Sequence, residues 1–406
     1  MSAIPAGYKQ TEVGVIPEDW KPRLLKQISP SQSVGLVINP STYVVADGTV
    51  PMLVGSNISA NCIKWEDARW ISVASNQSLP ASRLNAGDLV TVRVGEPGIT
   101  AVVPQELDGC NCASVMIVRK HDSFDSRWLC HVMNSRQGLA QVEGVQYGTA
   151  QKQFNISDAI NFIYATPPLP EQRAIAAALS DVDGLLAKLD QLIAKKRDLK
   201  KAAMQQLLTG QTRLPGFSGE WKVRRLGEIC EIAMGRTPPR LNSAMWGVGH
   251  VWLSIADLDG KVVSESKEQI TNLAAASMPA IPKGTLLMSF KLSIGRLCFA
   301  GCDLYTNEAI CSFGNLQEDA EFLYYALGRT DFSLYGKQAV KGYTLNKESL
   351  KMVEVRLPPR AEQGAIATVL SDMDTELAAL EARRDKTRAL KQGMMQELLS
   401  GRIRLV

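Results

Sequence analysis

The sequence predicts an α+β protein in which two mixed α/β domains are joined by two long helices that form an antiparallel coiled coil. The first observation behind this prediction is an internal repeat. Residues 167–213 return without a gap as residues 358–404, and 24 of the 47 aligned pairs are identical. The second observation is that short apolar runs, separated by turn residues, precede each copy, which is typical of mixed domains. A repeat of this length indicates a duplicated unit.

These observations divide the 406-residue chain into four parts. They are a first domain (residues 1–166), a first helical spacer (167–213), a second domain (214–357) and a second helical spacer (358–406). The passage Glu220-Trp221-Lys222, which follows the first spacer, resembles Asp19-Trp20-Lys21 near the start of the chain. The layout is therefore a pseudo-cyclic repeat that is opened between its last helix and its first domain.

The sequence of each spacer predicts one long helix. A Pro-Pro pair precedes each copy and disfavours helix in the residue before it, while Gly210 and Gly401 stand where a C-terminal cap is expected. Apolar residues three and four apart form a narrow stripe, which favours packing of the two helices against each other over an ordinary core helix in each half. The stripe residues are Ile175, Leu179, Val182, Leu186, Leu189, Leu199 and Leu207 in the first copy, and Ile366, Leu370, Met373, Leu377, Leu380, Leu390 and Leu398 in the second.

The two domains differ in sequence but follow one plan. Helices are predicted near residues 126–136 and 321–329, and the segments Gln153-Phe154-Asn155 and Thr344-Leu345-Asn346 align near the domain ends. Apolar runs bounded by turn residues predict the strands. These strands are expected at 43–45, 52–54, 89–94 and 115–118 in the first domain, and at 250–255 and 285–290 in the second.

Composition limits the classes of protein. Apolar content is 45% and charged content 21%, as in a soluble globular protein, and no apolar run is long enough to span a membrane. The start of the chain lacks a signal-peptide pattern, so we expect a cytoplasmic protein without membrane partners. Its eight scattered cysteines are expected to be reduced and buried. The spacers hold 16 basic and 12 acidic residues, which leaves 29 of each elsewhere, so any DNA contact requires local basic patches.

No catalytic residue is predicted, because the sequence has neither a phosphate-binding GxxxxGK[ST] loop nor a helix-opening GxGxxG. Asn39-Pro40-Ser41-Thr42-Tyr43 lacks the second proline of the Asn-Pro-Pro-Tyr motif of amino-methyltransferases. Asp19-Trp20-Lys21 lacks the upstream Pro-Asp of a nuclease site. A self-contained DNA methyltransferase or nuclease is therefore the weaker alternative, as is a coiled-coil adaptor whose domains bind protein.

A metal site is not predicted either. Cys110 and Cys112, or Cys298 and Cys302, would supply only part of the four ligands that structural zinc needs, and the chain has three histidines. Buried thiols on strands explain these cysteines better than zinc does.

Basic residues on glycine-containing loops are the remaining candidates. Such side chains reach phosphates or base edges, and glycine allows the backbone to approach closely. The predicted DNA-binding residues are Arg93, Lys152, Arg236, Arg240, Lys291, Arg296, Lys341 and Tyr343.

The motifs PPLPEQRAIAAALSDVD…LLTG and PPRAEQGAIATVLSDMD…LLSG resemble the helical spacers of the specificity subunits of type I restriction–modification systems. The second domain agrees over residues 281–295 and Thr306-Asn307-Glu308, which resemble part of a family target-recognition domain. The first domain resembles it only loosely.

This resemblance implies that each domain binds one half of a split target in double-stranded DNA, while the helices fix the separation of the two halves. It also implies that the chain is not itself catalytic and carries no cofactor. Two methyltransferase subunits with S-adenosylmethionine, and endonuclease/translocase subunits with ATP and Mg, are expected as its partners.

Overall fold

The computed structural model describes residues 4–149, 151–291, 293–339 and 342–405. The chain forms two compact units. Unit 1 consists of Met1–Asp190 with Ala382–Val406, and unit 2 of Gln191–Glu381. Each unit therefore combines one mixed domain with segments of both long helices, and the predicted α+β class is confirmed.

The two long helices are Leu169–Thr209 and Arg360–Leu398. The glycine that follows each of them, Gly210 or Gly401, has a left-handed φ of 72°. Glycine adopts this conformation without the steric cost that a Cβ atom would add, so it ends a helix readily. The helix ends predicted from the repeat are confirmed.

A repeated glutamine connects the start of each long helix to its own domain. The Gln172 side-chain oxygen accepts a hydrogen bond from the Asp125 N–H (3.0 Å), and Gln363 does the same for Asp319 (3.0 Å). Both aspartates cap the N-terminus of a domain helix, Ser126–Met133 or Ala320–Leu327. This contact explains why the glutamine occurs in both copies.

Within each unit, the two helix segments pack antiparallel through the predicted stripe. Ile175, Leu179 and Leu398 are buried in the core of unit 1, and Ile366 and Leu370 in that of unit 2. Apolar stripes of this kind are buried because removing their apolar surface from water stabilises the packed state.

The stripe prediction is wrong at one pair of equivalent residues. Leu199 is 48% exposed and Leu390 is 59% exposed. The spacing of three and four residues instead continues from the buried Ile193 to Lys196 and Lys200. Lys196 pairs with Glu376 (Nζ to Oε1, 2.6 Å) and Lys200 with Asp374. Ion pairs thus replace apolar contacts in this part of unit 2.

Unit 1 contains a four-stranded sheet and a three-stranded sheet. In spatial order the four strands are Thr100–Val102, Leu89–Val92, Val115–Val118 and Gln32–Val34. The three are Asn111–Cys112, Val50–Leu53 and Arg69–Ile71. The two-stranded pairs are Tyr8–Thr11 with Gly14–Pro17, Lys21–Leu24 with Ile163–Thr166, and Ile58–Ser59 with Cys62–Ile63. The α-helices besides the long ones are Leu25–Ile28, Val73–Ser78, Ser126–Met133, Arg136–Val145 and Ile156–Ala159.

Unit 2 repeats the strand order of these two sheets, with one strand added to the larger sheet. Its larger sheet is Val262–Val263, Leu297–Ala300, Leu286–Ser289, Ile310–Gly314 and Glu231–Met234 in spatial order, and its smaller sheet is Tyr305–Thr306, Trp246–Leu253 and Glu268–Ile270. The strand pairs are Lys222–Arg225 with Glu354–Leu357 and Lys337–Ala339 with Gly342–Thr344. The short α-helices are Leu226–Ile229, Asn272–Ala275, Ala320–Leu327 and Lys347–Lys351.

Matching hydrogen bonds show which residues of the two domains are equivalent. The Phe154 N–H donates to the Arg93 carbonyl (3.3 Å), and the Leu345 N–H donates to the Phe290 carbonyl (3.4 Å). These bonds confirm the alignment of residues 153–155 with 344–346 that the sequence indicated.

One predicted strand is not formed. Residues 43–45 contribute a single bridge, between Val44 and Ile71. The segment directly follows the turn Pro40–Thr42, in which the Asn39 side chain accepts the Ser41 N–H. This local side-chain hydrogen bond favours a turn over a sheet ladder.

Candidate nucleic-acid interface

Equivalent glycines begin one loop in each domain. A Cβ atom on Gly235 would lie 2.2 Å from the Thr306 hydroxyl oxygen, and one on Gly35 would lie 2.8 Å from the Cys112 carbonyl oxygen. Only glycine fits such a close approach without displacing the neighbouring backbone. Residues 36–49 and 236–245 are the loops that begin at these glycines and lead to the next strand, and we call them the first and second edge loops.

In the first domain, the structure brings together the two predicted site residues, Arg93 and Lys152. Arg93 follows the strand Leu89–Val92, and its Nε donates to the Phe154 carbonyl (3.4 Å). The Gly95 N–H donates to the Lys152 carbonyl (3.0 Å), so the two loops lie side by side. Lys152 is exposed and Arg93 half-buried. Two cations thus stand on adjacent glycine-containing loops.

In the second domain, Lys291 and Arg296 flank the loop that is equivalent to the one carrying Arg93. Its Gly295 N–H donates to the Ser289 carbonyl (2.9 Å) and holds the loop closed. Arg296 is exposed and Lys291 half-buried, with its Nζ 5.5 Å from the centroid of the Phe290 ring. Among the described residues neither side chain forms an ion pair with a carboxylate, and the Arg296 Nη1 donates to the Ile255 carbonyl (3.5 Å).

Arg240 is engaged by its own domain. Its guanidinium lies 4.1 Å from the centroid of the Trp246 ring and 5.0 Å from that of Trp252, and it pairs with Glu268 at 2.7 Å. Arg236, in contrast, is exposed, and its backbone N–H donates to the Thr306 carbonyl (2.8 Å).

A carboxylate stands among these cations. The Thr237 hydroxyl donates a hydrogen bond to Glu308, and this bond, with Lys291 and Arg240 nearby, lowers the pKa of Glu308. An ionised carboxylate accepts a hydrogen bond from the N4 amino group of cytosine, whereas arginine and lysine donate hydrogen bonds to guanine. The second domain therefore offers donors and an acceptor suited to base edges.

For two of the predicted DNA-binding residues the structure gives only part of the position or none. Lys341 lies outside the described residues, and Tyr343 lies in the strand Gly342–Thr344. By the equivalence of Phe154 with Leu345, Tyr343 occupies the position of Lys152. All eight residues remain predicted, not demonstrated, DNA contacts.

Sequence reasoning missed the aromatic support of the second edge loop. Trp246 and Trp252 meet edge to face with their ring centroids 4.9 Å apart, and the Trp252 Nε1–H donates to the Arg236 carbonyl (3.0 Å). The two tryptophans lie six residues apart in the sequence, and that spacing alone does not indicate a contact with an arginine loop.

Other kinds of site receive little support. Throughout the described ranges, no three side chains of His, Cys, Asp or Glu are grouped as metal ligands. The cysteines are free, and burial raises the pKa of the Cys110 thiol to about 12. None of the helices formed by the described residues is long and apolar enough to cross a membrane.

The fold defines a duplicated α+β protein in which two related domains, each associated with long-helix segments, carry equivalent basic loops. Comparison with protein families agrees, because residues 218–388 match the type I restriction modification DNA specificity domain. The match covers the second domain and part of the second long helix.

Relatives extend the similarity over the rest of the chain. A putative type I restriction enzyme specificity subunit, MjaX, from Methanocaldococcus jannaschii is 23% identical over 98% of this chain and 97% of its own length. The MjaIX specificity subunit of the same organism is 32% identical over 40% of each chain. The resemblance to type I specificity subunits that the repeat motifs indicated is confirmed.

Solved structures share the fold. The S subunit of a type I restriction–modification system from M. genitalium has a TM-score of 0.62 at 14% identity, covering 93% of this chain and 96% of that one. A chain from a study of the assembly and conformational transition of a type I R-M system has a TM-score of 0.58 at 21% identity, covering 96% and 99%.

Proposed function

We propose that this protein recognises a bipartite sequence in double-stranded DNA and carries the methyltransferase and endonuclease subunits of a type I restriction–modification complex. One observation carries the proposal: two domains of the same topology, connected to a repeated helical element, present different side chains on equivalent loops. A common framework with different loops is what two half-sites of different sequence require.

The chain's contribution in this proposal is recognition. The phosphate or guanine contacts come from three exposed cations, Lys152, Arg236 and Arg296. Glu308 accepts a hydrogen bond from the amino group of cytosine. Methyl transfer from S-adenosylmethionine and ATP- and Mg-dependent cleavage belong to partner subunits, and the complex works on DNA in the cytoplasm.

Exchange of the second domain tests the proposal. The strands Lys222–Arg225 and Glu354–Leu357 pair antiparallel, with Lys222 opposite Leu357, so the two ends of residues 221–357 lie next to each other. Replacing this segment by that of a relative is therefore expected to change one half-site and leave the other intact. Mapping of methylated bases in cells that carry each version would show this. A change in both half-sites would contradict independent recognition by the two domains.

A second expected result concerns catalysis. The purified chain, shown by mass spectrometry to be free of other subunits, is expected neither to methylate nor to cut DNA. The reason is that its sequence has no cofactor or phosphate loop. Methyl transfer from labelled S-adenosylmethionine, and plasmid cleavage with ATP and Mg, are the two measurements. Activity in such a preparation would favour the self-contained enzyme.

A further inference from the structure

The second edge loop contains a turn at residues 239–242 that is held from two sides. The Asn242 N–H donates to the Pro239 carbonyl (3.1 Å), and the Trp246 indole N–H donates to the same oxygen (3.2 Å). Arg240, inside the turn, stacks on Trp246 and pairs with Glu268. The backbone of the turn is thus fixed by its own domain before any ligand arrives.

Leu241 lies on this turn and is fully exposed, at 102% of its reference surface. Val248, in the strand Trp246–Leu253 that follows this loop, is 97% exposed. Single exposed apolar residues are common on protein surfaces and need no explanation by themselves. Leu241 differs because it occupies a turn held by an arginine, an indole and a backbone hydrogen bond. A leucine held in water in this way loses the burial that normally stabilises it.

The first edge loop also exposes aliphatic side chains. Val37 on the first edge loop is 76% exposed, and Ile38 beside it is 56% exposed. Both edge loops therefore present exposed aliphatic side chains, although at different distances from their starting glycines. The surrounding charges differ, since the strand residue that meets the loop is Arg69 in the first domain, bonded to Ser41, and Glu268 in the second.

The ligand chemistry follows from what a base edge offers. In the major groove the apolar group of a base pair is the C5-methyl of thymine, and small aliphatic side chains pack on it. We infer that Leu241 is a specificity residue that contacts a thymine methyl group in the half-site of the second domain. Arg240 is then a positioning residue that holds the turn, not a phosphate contact. This inference rests on the proposed function.

Selection of DNA from a random pool, with the full chain co-purified with its methyltransferase subunits, is the first test. Leu241→Ala should weaken the preference for thymine at one position by about tenfold and leave the other half-site unchanged. Deoxyuridine at that position should weaken wild-type binding equally and leave Leu241→Ala unaffected. Leu390→Ala, at an exposed leucine on the second long helix (59% exposed), is the control and should select the wild-type sequence.

The role of Arg240 has its own measurement. A phosphate contact would make Arg240→Met reduce the slope of log affinity against log salt by about 1 and weaken all sequences alike. A positioning role predicts an unchanged slope, with loss of preference at the position that Leu241→Ala also affects. Glu268→Gln should act in the same direction as Arg240→Met.

The outcomes separate the two proposals. If the wild-type complex selects no sequence, the proposed function fails. If it selects a bipartite sequence and Leu241→Ala selects the same one with equal strength, the function stands and the inference about Leu241 is wrong. Because Leu241 is fully exposed, the variant should unfold at the wild-type temperature, which excludes misfolding as the cause of an effect.

Discussion

Replacement of Arg404 by methionine is expected to lower the free energy of unfolding of unit 1 by about 3 kcal/mol. The guanidinium bonds both oxygens of Glu171, at 2.7 and 2.8 Å, and Glu171 also accepts the Trp20 indole N–H at 2.9 Å. Glu171 is 3% exposed. Without the arginine, the buried Glu171 side chain would keep only the Trp20 indole N–H as a donor, and leaving a buried acidic group without its charged partner is costly.

Urea unfolding, followed by amide hydrogen exchange to assign the loss to unit 1, measures this effect. Arg402→Met is the matched control, since Arg402 pairs with Glu397 at the surface (2.9 Å) and its side chain is 49% exposed. Exposed pairs contribute about 0–1 kcal/mol, so the control should lie close to wild type. Equal losses in the two variants would show that burial of Glu171 does not set the cost.

Acidification is expected to destabilise unit 1 through His131. This histidine is 2% exposed, and burial, with the Lys391 ammonium nearby, lowers its pKa to about 4 despite Asp183, whose Oδ2 lies 4.0 Å from Nε2. The unfolded chain therefore binds a proton at higher pH than the folded one, near pH 6.5. Between pH 7.5 and pH 5 this difference should cost about 2 kcal/mol of folding stability, with more lost towards pH 4.

His131→Tyr isolates this effect, because Tyr325 occupies the equivalent helix position in unit 2, where its hydroxyl donates to Asp374 at 2.6 Å. Between pH 7.5 and pH 5 the wild type should lose about 2 kcal/mol more unfolding free energy than the variant, because only the wild type has the histidine. Urea titrations at both pH values measure it. Parallel curves for the two proteins would mean that His131 is protonated without cost.

The helices were predictable because their signals are local. The Pro-Pro starts, the final glycines and the 24 repeated identities specify where each helix begins and ends. The stripe prediction failed at Leu199 and Leu390 because it assumed that every residue facing the other helix is apolar. Lys196 and Lys200 occupy such positions through ion pairs, and these depend on which carboxylates the other helix supplies.

The candidate interface was predictable only in part. Arg93 and Lys152 were singled out by their neighbouring glycines, and the fold places their loops side by side. The role of Arg240 depends on Trp246 and Glu268, which come from different strands of a sheet. Composition and spacing carry no information about such a non-local contact, so the sequence could not distinguish an engaged arginine from a free one.

The composition of unit 1 has a consequence for synthesis on the ribosome. Unit 2 is one continuous stretch of 191 residues, Gln191–Glu381, whereas unit 1 needs Ala382–Val406, which is translated after all of unit 2. The nascent chain can therefore complete unit 2 while unit 1 still lacks Leu398 and Leu399 from its core. A message cut short within those codons would yield a finished second unit beside an unfinished first, with the apolar face of Ile175 and Leu179 left for chaperones or proteases to bind.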